Sequence, residues 1–244
     1  MKNRWTMQNW NKSLALVMLG AGLGVLGSVS LVGDRSTKEA PALQVQADTP
    51  KQLGFDLLLL GEPTLGLQDA PVTIVEFSDY QCPYCRLFQQ TIFPELKSEF
   101  IDQGLVRFIH KDLPLSYHPQ AESSASVARC AERQNAFWTI HDALYAEQHC
   151  LSCKGPATIG INAGLDEQQL QSCLQDPMVA DTVRSNRSEA KLHGIRSTPT
   201  FVIGATIDPN RHRGTIVEGA LPWPDFRALI LAELKVINPT SKDE

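Results

Sequence analysis

The sequence predicts an α/β fold in which a block of helices is inserted between two parts of one sheet. Residues 71–78 (PVTIVEFS) alternate in polarity and are rich in β-branched side chains, which predicts a strand. Residues 83–101 repeat apolar positions every four residues and predict a helix, kinked at Pro94 because proline removes one intrahelical hydrogen bond. Residues 105–113 then predict a second strand, which a right-handed crossover places parallel to the first.

The second half of the chain predicts the helical block and the rest of the sheet. Residues 117–194 show helical patterns and no strand pattern, with candidate helices at residues 121–134, 136–148, 166–175 and 178–193. Residues 200–204 and 215–218 predict two short strands around a turn, and residues 223–237 predict a closing amphipathic helix. We therefore expect helices on both faces of the sheet.

Composition excludes two broad classes of protein. A hydrophobic content of 43% with 20% charged residues is ordinary for a folded protein and argues against disorder of the whole chain. The chain has 22 basic and 27 acidic residues, and its first 33 residues contain basic but no acidic ones, so the remainder is more acidic still. Such a charge argues against nucleic acid as a partner.

The amino-terminal segment predicts export. Residues 13–33 carry no charge and follow three basic residues, which is typical of a signal or anchor inserted with its amino end inside. We favour an uncleaved anchor over a cleaved signal, because a helix of this length spans a hydrocarbon core of about 30 Å. The small residues Ser28 and Ser30 keep cleavage open as an alternative. Residues 34–56 are polar and predict a linker that holds the folded part away from the membrane.

The stretch FSDYQCPYC places Cys82 and Cys85 at the junction of the first strand and the first helix. All six cysteines follow the export segment, where disulfides are stable, so sulfur chemistry is favoured over zinc. The unpaired N–H groups of a helix start stabilise a thiolate at Cys82, while Cys85 is more shielded. We therefore expect Cys82 to be the attacking and attacked sulfur and Cys85 to resolve the mixed disulfide.

Two other features fit dithiol chemistry. Glu76 lies six residues before Cys82, at a strand position that points inward, where a carboxylate with raised pKa would relay the proton of Cys85. The alternative is an ordinary solvated glutamate. Thr198-Pro199 precedes a predicted strand, and a cis bond there would present the backbone of Thr198 to a peptide substrate. A trans proline in a plain turn is the more common arrangement.

These residues together resemble a known family. The motifs VEFSDYQCPYC and GIRSTPTFVIG, with a helical insert between them, are similar to the DsbA-type thiol-disulfide oxidoreductases of the thioredoxin superfamily. The resemblance is strongest to the bacterial branch of membrane-tethered, BdbD-like proteins and covers residues 57–234. It implies a thioredoxin-fold domain formed by residues 57–115 and 195–238, with residues 116–194 as an inserted helical subdomain.

The resemblance also implies roles for individual residues. Pro199 would be cis, Cys82 the exposed nucleophile and Glu76 the buried acid, with Lys111 on the second strand near Glu76. Thr198 would bind substrate. Pro83 and Tyr84, between the cysteines, would contact substrate and tune the redox potential. They depart from the Pro-His of the best-known oxidant of the family, which leaves the potential open.

The remaining four cysteines predict two disulfides. The resemblance implies a bond between Cys130 and Cys173 inside the helical insert. Cys150 and Cys153 have no counterpart in the family pattern, and a local disulfide is the favoured interpretation. A metal site that includes His149 and an electron relay to the Cys82/Cys85 pair are the alternatives.

The sequence therefore predicts an exported dithiol oxidase that passes its Cys82–Cys85 disulfide to folding proteins. No cofactor or metal is expected. The partners implied are reduced secreted or periplasmic proteins and a quinone-linked membrane reoxidant of the DsbB or vitamin K epoxide reductase-like kind. A reductase or isomerase with the same site, and a cysteine-based module that binds or delivers a metal, are the competing hypotheses.

Overall fold

The computed structural model of the protein describes residues 51–54 and 56–237. The strands are β1 (Leu57–Leu58), β2 (Thr64–Leu65), β3 (Val72–Ser78), β4 (Val106–Asp112), β5 (Thr200–Ala205), β6 (Arg211–His212) and β7 (Thr215–Glu218). The helices are α1 (Pro83–Thr91), α2 (Phe93–Leu96), α3 (Ala121–Glu132), α4 (Phe137–Ala146), α5 (Leu151–Lys154), α6 (Pro156–Asn162), α7 (Glu167–Leu174), α8 (Pro177–Leu192) and α9 (Trp223–Ile237). A π-helical segment follows α2 (Lys97–Ile101), and a 3-10 turn precedes α5 (Gln148–Cys150).

The central sheet has five strands in the order β2-β4-β3-β5-β7. The β3/β4 pair is parallel, as the crossover through α1 requires, and the other pairs are antiparallel. Every residue of β3 and β4 is buried, which is the pattern of strands covered on both faces. β1 and β6 form a separate two-stranded sheet.

Helices cover both faces of this sheet. On one face, Phe88 of α1 and Phe226 of α9 pack against Ile74 of β3. Burial of one such phenylalanine side chain stabilises the fold by about 2 kcal/mol. On the other face, Val75 of β3 packs in a cluster that includes Ala190 of α8. Side chains of β3 alternate between these two cores, so neighbouring residues of the strand face opposite sides.

The helical block lies between β4 and β5 in the sequence. From residue 113 to residue 199 the chain forms helices and turns, as predicted. Helices α3 to α8 share an apolar core that also includes Cys82 and Cys85. The insert is therefore part of the wall around the cysteine pair. The predicted α/β fold with inserted helices is confirmed.

Two predicted positions are off by a few residues. Helical backbone extends to Ile101 as predicted, but the interruption expected at Pro94 falls at Ile92, between the end of α1 at Thr91 and the start of α2 at Phe93. Proline cannot donate to the carbonyl four residues earlier, so the break falls just before it. The predicted linker also ends too late, since Gln52 forms a bridge to Thr215 and Leu53 is buried.

The predicted anchor, residues 13–33, lies outside the described residues. Among the residues that are described, none of the helices has the length and apolar character needed to cross a membrane.

Candidate active site

The Cys82/Cys85 pair lies where β3 passes into α1. Cys82 is the N-cap of α1 with an extended backbone (φ −73°, ψ 123°), and Cys85 lies in the first turn. The Asp79 carboxylate shapes the preceding turn by accepting hydrogen bonds from the backbone N–H groups of Gln81 and Leu115, at 2.7 and 2.8 Å. The N–H groups of the first helical turn have no partner within the helix, so they are available to a negative sulfur at Cys82.

The Cys82 sulfur lies beneath the loop that contains Pro199. The Thr198-Pro199 bond is cis, and Cys82 Sγ lies 3.3 Å from the carbonyl oxygen of Thr198. Cys82 is only 4% exposed, so the expectation of an exposed nucleophile is wrong for this conformation, because the loop covers the sulfur. A hydrogen bond from the Cys85 thiol lowers the pKa of Cys82 to about 6, against the opposing effect of burial, with smaller contributions from the N–H groups of Tyr84 and Cys85.

The second sulfur has the opposite character. Both cysteines are free thiols, so the structure shows the dithiol form. Cys85 is fully buried, and its pKa is raised well above the ordinary value, first by burial and then by Cys82 and Glu76. At pH 7 a thiol with a pKa near 6 is about nine-tenths ionised, whereas Cys85 stays protonated. The two sulfurs are therefore chemically unequal.

Glu76 is completely buried on the α1 side of the sheet. Its Oε1 accepts a hydrogen bond from the Ser78 hydroxyl at 2.8 Å, and that hydroxyl lies 2.7 Å from the hydroxyl of Tyr145 in the insert. Burial raises the pKa of Glu76 to about 7, while His110 and the Ser78 hydrogen bond act in the opposite direction. The carboxyl group is therefore able to hold or release a proton near neutral pH.

Lys111 does not lie near Glu76, and that expectation is wrong. In the parallel β3/β4 pair, Glu76 is in register with His110, so Lys111 points to the opposite face of the sheet. There its Nζ forms ion pairs with Glu62 at 3.0 Å and Glu189 at 2.6 Å. The side chain that replaces the expected lysine beside Glu76 is a histidine.

Four polar residues around the cysteines were not predicted. Ser78 and Tyr145 connect to Glu76 as described, and His110 lies beside it across the sheet. Gln148 Nε2 donates to the carbonyl oxygen of Cys82 at 2.9 Å and so ties the insert to the start of α1. Strand parity places Ser78 on the same face as Glu76, so the sequence could have identified Ser78 as a neighbour of Glu76. The others depend on strand register and on how the insert packs.

Glu76, His110 and His141 form a buried group whose candidate ligand atoms lie within 4.8 Å of one another. His141 Nδ1 lies 3.0 Å from Asp142 Oδ1, and its Nε2 lies 3.4 Å from Gln89 Nε2. Only Glu76 Oε2 and His110 Nδ1 therefore lack a hydrogen-bond partner among these atoms. Two free donors are fewer than a structural zinc uses, so this arrangement fits a proton better than a metal.

The other four cysteines form disulfides. Cys130 and Cys173 are joined within the insert, between α3 and α7, and Cys150 is joined to Cys153. Cys153 is exposed and Cys150 is half-buried, so solvent reaches the second bond. The side chain of His149 is 68% exposed, and its Nε2 lies 4.0 Å from Glu147 Oε2. The cysteine pairs outside the active site are thus not available as metal ligands in this state.

The surface beside Cys82 is partly apolar. Pro83 and Leu87 are exposed, and the Tyr84 side chain is 63% exposed. Together with Arg86 and Gln90 these residues line a shallow open depression. A peptide that approaches Cys82 would meet these side chains on one side and the Thr198-Pro199 loop on the other.

Comparison with known proteins identifies the family. Residues 59–229 match the family model described as thioredoxin. The chain belongs to the thioredoxin family. Disulfide bond formation protein D of Bacillus subtilis is 30% identical over 159 residues, which cover 62% of this chain and 71% of that protein. This relationship places the chain in the DsbA-type, BdbD-like branch of thiol-disulfide oxidoreductases.

Two further similarities bear on the thioredoxin domain. The Na(+)/H(+) antiporter NhaA 3 of Salinispora tropica is 30% identical over 224 residues, which cover 89% of this chain. The chain spans 33% of the length of that antiporter. The structure of oxidised BdbD from Bacillus subtilis has a TM-score of 0.63 at 24% identity and covers 76% of this chain and 97% of its own. That likeness supports the fold.

Proposed function

We propose that the protein is an exported dithiol oxidase that transfers the Cys82–Cys85 disulfide to folding proteins. The observation that carries this proposal is the inequality of the two sulfurs, because Cys82 has a lowered pKa and Cys85 a raised one. A stabilised thiolate in the dithiol form favours reduction of the disulfide, which makes the disulfide oxidising. The lowered pKa also makes Cys82 the better leaving group.

The reaction begins with the disulfide form. A substrate thiolate attacks Cys82 Sγ, the Cys82–Cys85 bond breaks, and Cys85 leaves and takes up a proton from the side of Glu76. A second substrate thiolate then attacks the substrate sulfur of the mixed disulfide. Cys82 leaves as a thiolate that the start of α1 stabilises. The substrate has lost two electrons and gained a disulfide, and the cysteine pair has gained the two electrons.

The size of the effect follows from the pKa. Lowering the pKa of Cys82 from 9.0 to about 6 stabilises the dithiol form at pH 7. The gain is at most about 1.4 kcal/mol, or about 30 mV for a two-electron couple, because only the part of the pKa shift that lies below the ambient pH stabilises the dithiol form. The rest of the oxidising power would come from the energy of the disulfide form itself.

The proposed cellular setting follows from the sequence. Residues 13–33 would tether the protein outside the cytoplasm, with reduced exported proteins as substrates. The exposed Pro83 and Tyr84 side chains and the Thr198-Pro199 loop would contact them. Because each turnover leaves the pair reduced, a quinone-linked membrane protein of the DsbB or vitamin K epoxide reductase-like kind would return it to the disulfide form.

The test is the redox potential of the Cys82/Cys85 pair, measured at equilibrium against glutathione at pH 7. We expect a potential above about −180 mV, the value typical of protein disulfide isomerase. A value near or below about −270 mV, the value of thioredoxin, would indicate a reductase and contradict the proposal. As a second arm, Cys85→Ala should accumulate mixed disulfides at Cys82 with exported proteins, and Cys82→Ala should accumulate none.

A further inference from the structure

A line of buried polar groups leads away from Cys85. Burial raises the pKa of the Cys85 thiol, and the neighbouring Ser78 hydroxyl acts in the opposite direction. The same hydroxyl donates to Glu76 Oε1 at 2.8 Å. The other carboxylate oxygen, Oε2, lies 3.9 Å from His110 Nδ1. His110 Nε2 in turn lies 3.3 Å from Asp112 Oδ1. All of these side chains are almost completely buried, so their protons have no direct exchange with solvent.

Asp112 determines which nitrogen of His110 carries hydrogen. Its Oδ2 accepts a hydrogen bond from Arg129 Nε at 2.5 Å. Burial alone would raise the pKa of Asp112, but Arg129 and His110 hold it at about 2, so the carboxylate is ionised. An ionised carboxylate is an acceptor only, so His110 Nε2 must donate to it. The lone pair of neutral His110 Nδ1 then points towards Glu76.

The two facing atoms have no competing partners. Among the described residues, neither Glu76 Oε2 nor His110 Nδ1 makes a hydrogen bond. Two buried polar atoms without hydrogen-bond partners each destabilise the folded state. A single proton between the two atoms would give each of them a hydrogen-bond partner. Catalytic hydrogen bonds are often long in structures without substrate. The 3.9 Å separation is therefore short enough for a small side-chain movement to close.

We propose that Glu76 and His110 together hold the one proton that Cys85 gains and loses in each cycle, with Asp112 fixing the orientation and tautomer of His110. His110 is thus a positioning residue that acts through Glu76. When Cys85 leaves the disulfide as a thiolate, the proton of the pair passes through the Ser78 hydroxyl to Cys85 Sγ. When Cys85 attacks a mixed disulfide, the proton returns to the pair. This inference rests on the proposed thiol-disulfide chemistry.

Apart from Cys82, the other buried groups around Glu76 and His110 do not exchange protons near neutral pH, so the proton is held by this pair. Burial raises the pKa values of Tyr80 and Tyr145 well above the ordinary value and lowers that of His141 to about 4. The charged or titratable groups that face the pair are Cys82 and Cys85 of α1, Tyr80 of the preceding turn, Asp112 of β4, Arg129 and Glu132 of α3, and His141, Asp142 and Tyr145 of α4. Cys82 is the other group here whose pKa falls close to neutrality, and it is the reacting sulfur.

The experiment measures how fast Cys85 resolves a glutathione adduct on Cys82 between pH 5 and pH 9. The wild-type rate should rise with an inflection near pH 7, since Glu76 must be ionised to accept the proton. In a shared pair, the Nδ1 lone pair of His110 adds to the proton affinity of Glu76, so His110→Gln should move the inflection to lower pH. A move to higher pH would mean that His110 acts on Glu76 as a cation and not as a second site for the proton, and it would overturn the proposal. Glutamine is polar but does not titrate, so a purely structural role predicts an unchanged profile.

His141→Gln is the matched control, because His141 is equally buried and its ring lies 5.3 Å from that of His110. Its nitrogens lie within 4.8 Å of the pair but closer to Asp142 and Gln89, at 3.0 and 3.4 Å, so the inflection of His141→Gln should stay at the wild-type position. An unchanged profile in His110→Gln, or an equal displacement in both variants, would overturn the proposal.

Nuclear magnetic resonance of the wild-type dithiol form gives a second measurement that needs no variant. The His110 side chain should carry hydrogen on Nε2, and the signals of Nδ1 and of the Glu76 carboxyl carbon should share one midpoint. Hydrogen on Nδ1 alone, or two separate midpoints, would overturn the inference. A reductase would show the same resolution step, so a failed oxidase assignment leaves this test intact. If no glutathione adduct forms on Cys82, it is the thiol-disulfide chemistry that fails, and the resonance measurement still decides the proton pair.

Discussion

Replacing Glu76 with glutamine should stabilise the folded protein, and only above acidic pH. Glu76 is fully buried, and burial raises its pKa from 4.5 to about 7. An unfolded chain ionises this carboxyl near pH 4.5, whereas the folded protein resists ionisation until about pH 7. Wild-type stability therefore falls as pH rises between these values. Glutamine keeps the acceptor for the Ser78 hydroxyl and carries no charge, so it avoids the loss.

The size of the effect follows from the pKa shift. A difference of about two and a half pKa units corresponds to roughly 3 kcal/mol in the free energy of unfolding. Below pH 4 both side chains are neutral, and the two proteins should be about equally stable. The advantage of Glu76→Gln should grow between pH 4.5 and pH 7 and reach a plateau of about 3 kcal/mol at pH 8. Ionisation of Cys82 occurs in both proteins and cancels in the difference.

The assay is urea unfolding of the dithiol form at pH values from 4 to 8, with the structural disulfides left intact. Glu95→Gln is the control, because Glu95 lies exposed on α2 and should give no advantage that depends on pH. A Glu76→Gln variant that is less stable at every pH, or whose advantage does not change with pH, would refute the assignment of a raised pKa. The same variant should resolve mixed disulfides slowly, since its side chain cannot accept the proton of Cys85.

Three other predictions concern the rest of the chain. Removing the Cys130–Cys173 disulfide with alanines should lower the free energy of unfolding by about 4 kcal/mol, because it closes a 43-residue loop, as urea unfolding will show. Removing Cys150–Cys153 should cost only about 1.5 kcal/mol in the same assay, since the closed loop is short. Deleting residues 1–33 and supplying a cleavable signal should move the protein from the membrane fraction to the soluble extracytoplasmic fraction; retention in the membrane would count against the anchor.

The periodic parts of the fold were predictable from the sequence. The strand predicted at residues 71–78 is Val72–Ser78 in the structure, and the closing helix is Trp223–Ile237 as predicted. Both have strong apolar periodicity that tertiary packing reinforces. The position of Cys82 at a helix start followed from the same patterns, because the end of a strand and the start of a helix bracket it.

The interior of the site was predictable only in part. Strand parity placed Glu76 inside, but the residue beside it depends on the register between two strands. The family resemblance implied Lys111 beside Glu76, but a shift of one residue exchanges the two faces of a strand, and the register places His110 there instead. Tyr145 reaches Ser78 from the helical insert, a contact that follows from tertiary packing rather than from any local pattern. The interruption predicted at Pro94 falls at Ile92, because the hydrogen bond that proline cannot make belongs to the helical turn before it.

The most direct test of the central claim is the thiolate absorbance of the dithiol form at 240 nm as a function of pH. The structure predicts a single ionisation with a midpoint near pH 6 that disappears in Cys82→Ala. In Cys85→Ala the ionisation should remain but move to higher pH, because the hydrogen bond from the Cys85 thiol is lost. A wild-type protein without thiolate absorbance below about pH 8 would have two ordinary thiols and would contradict the account.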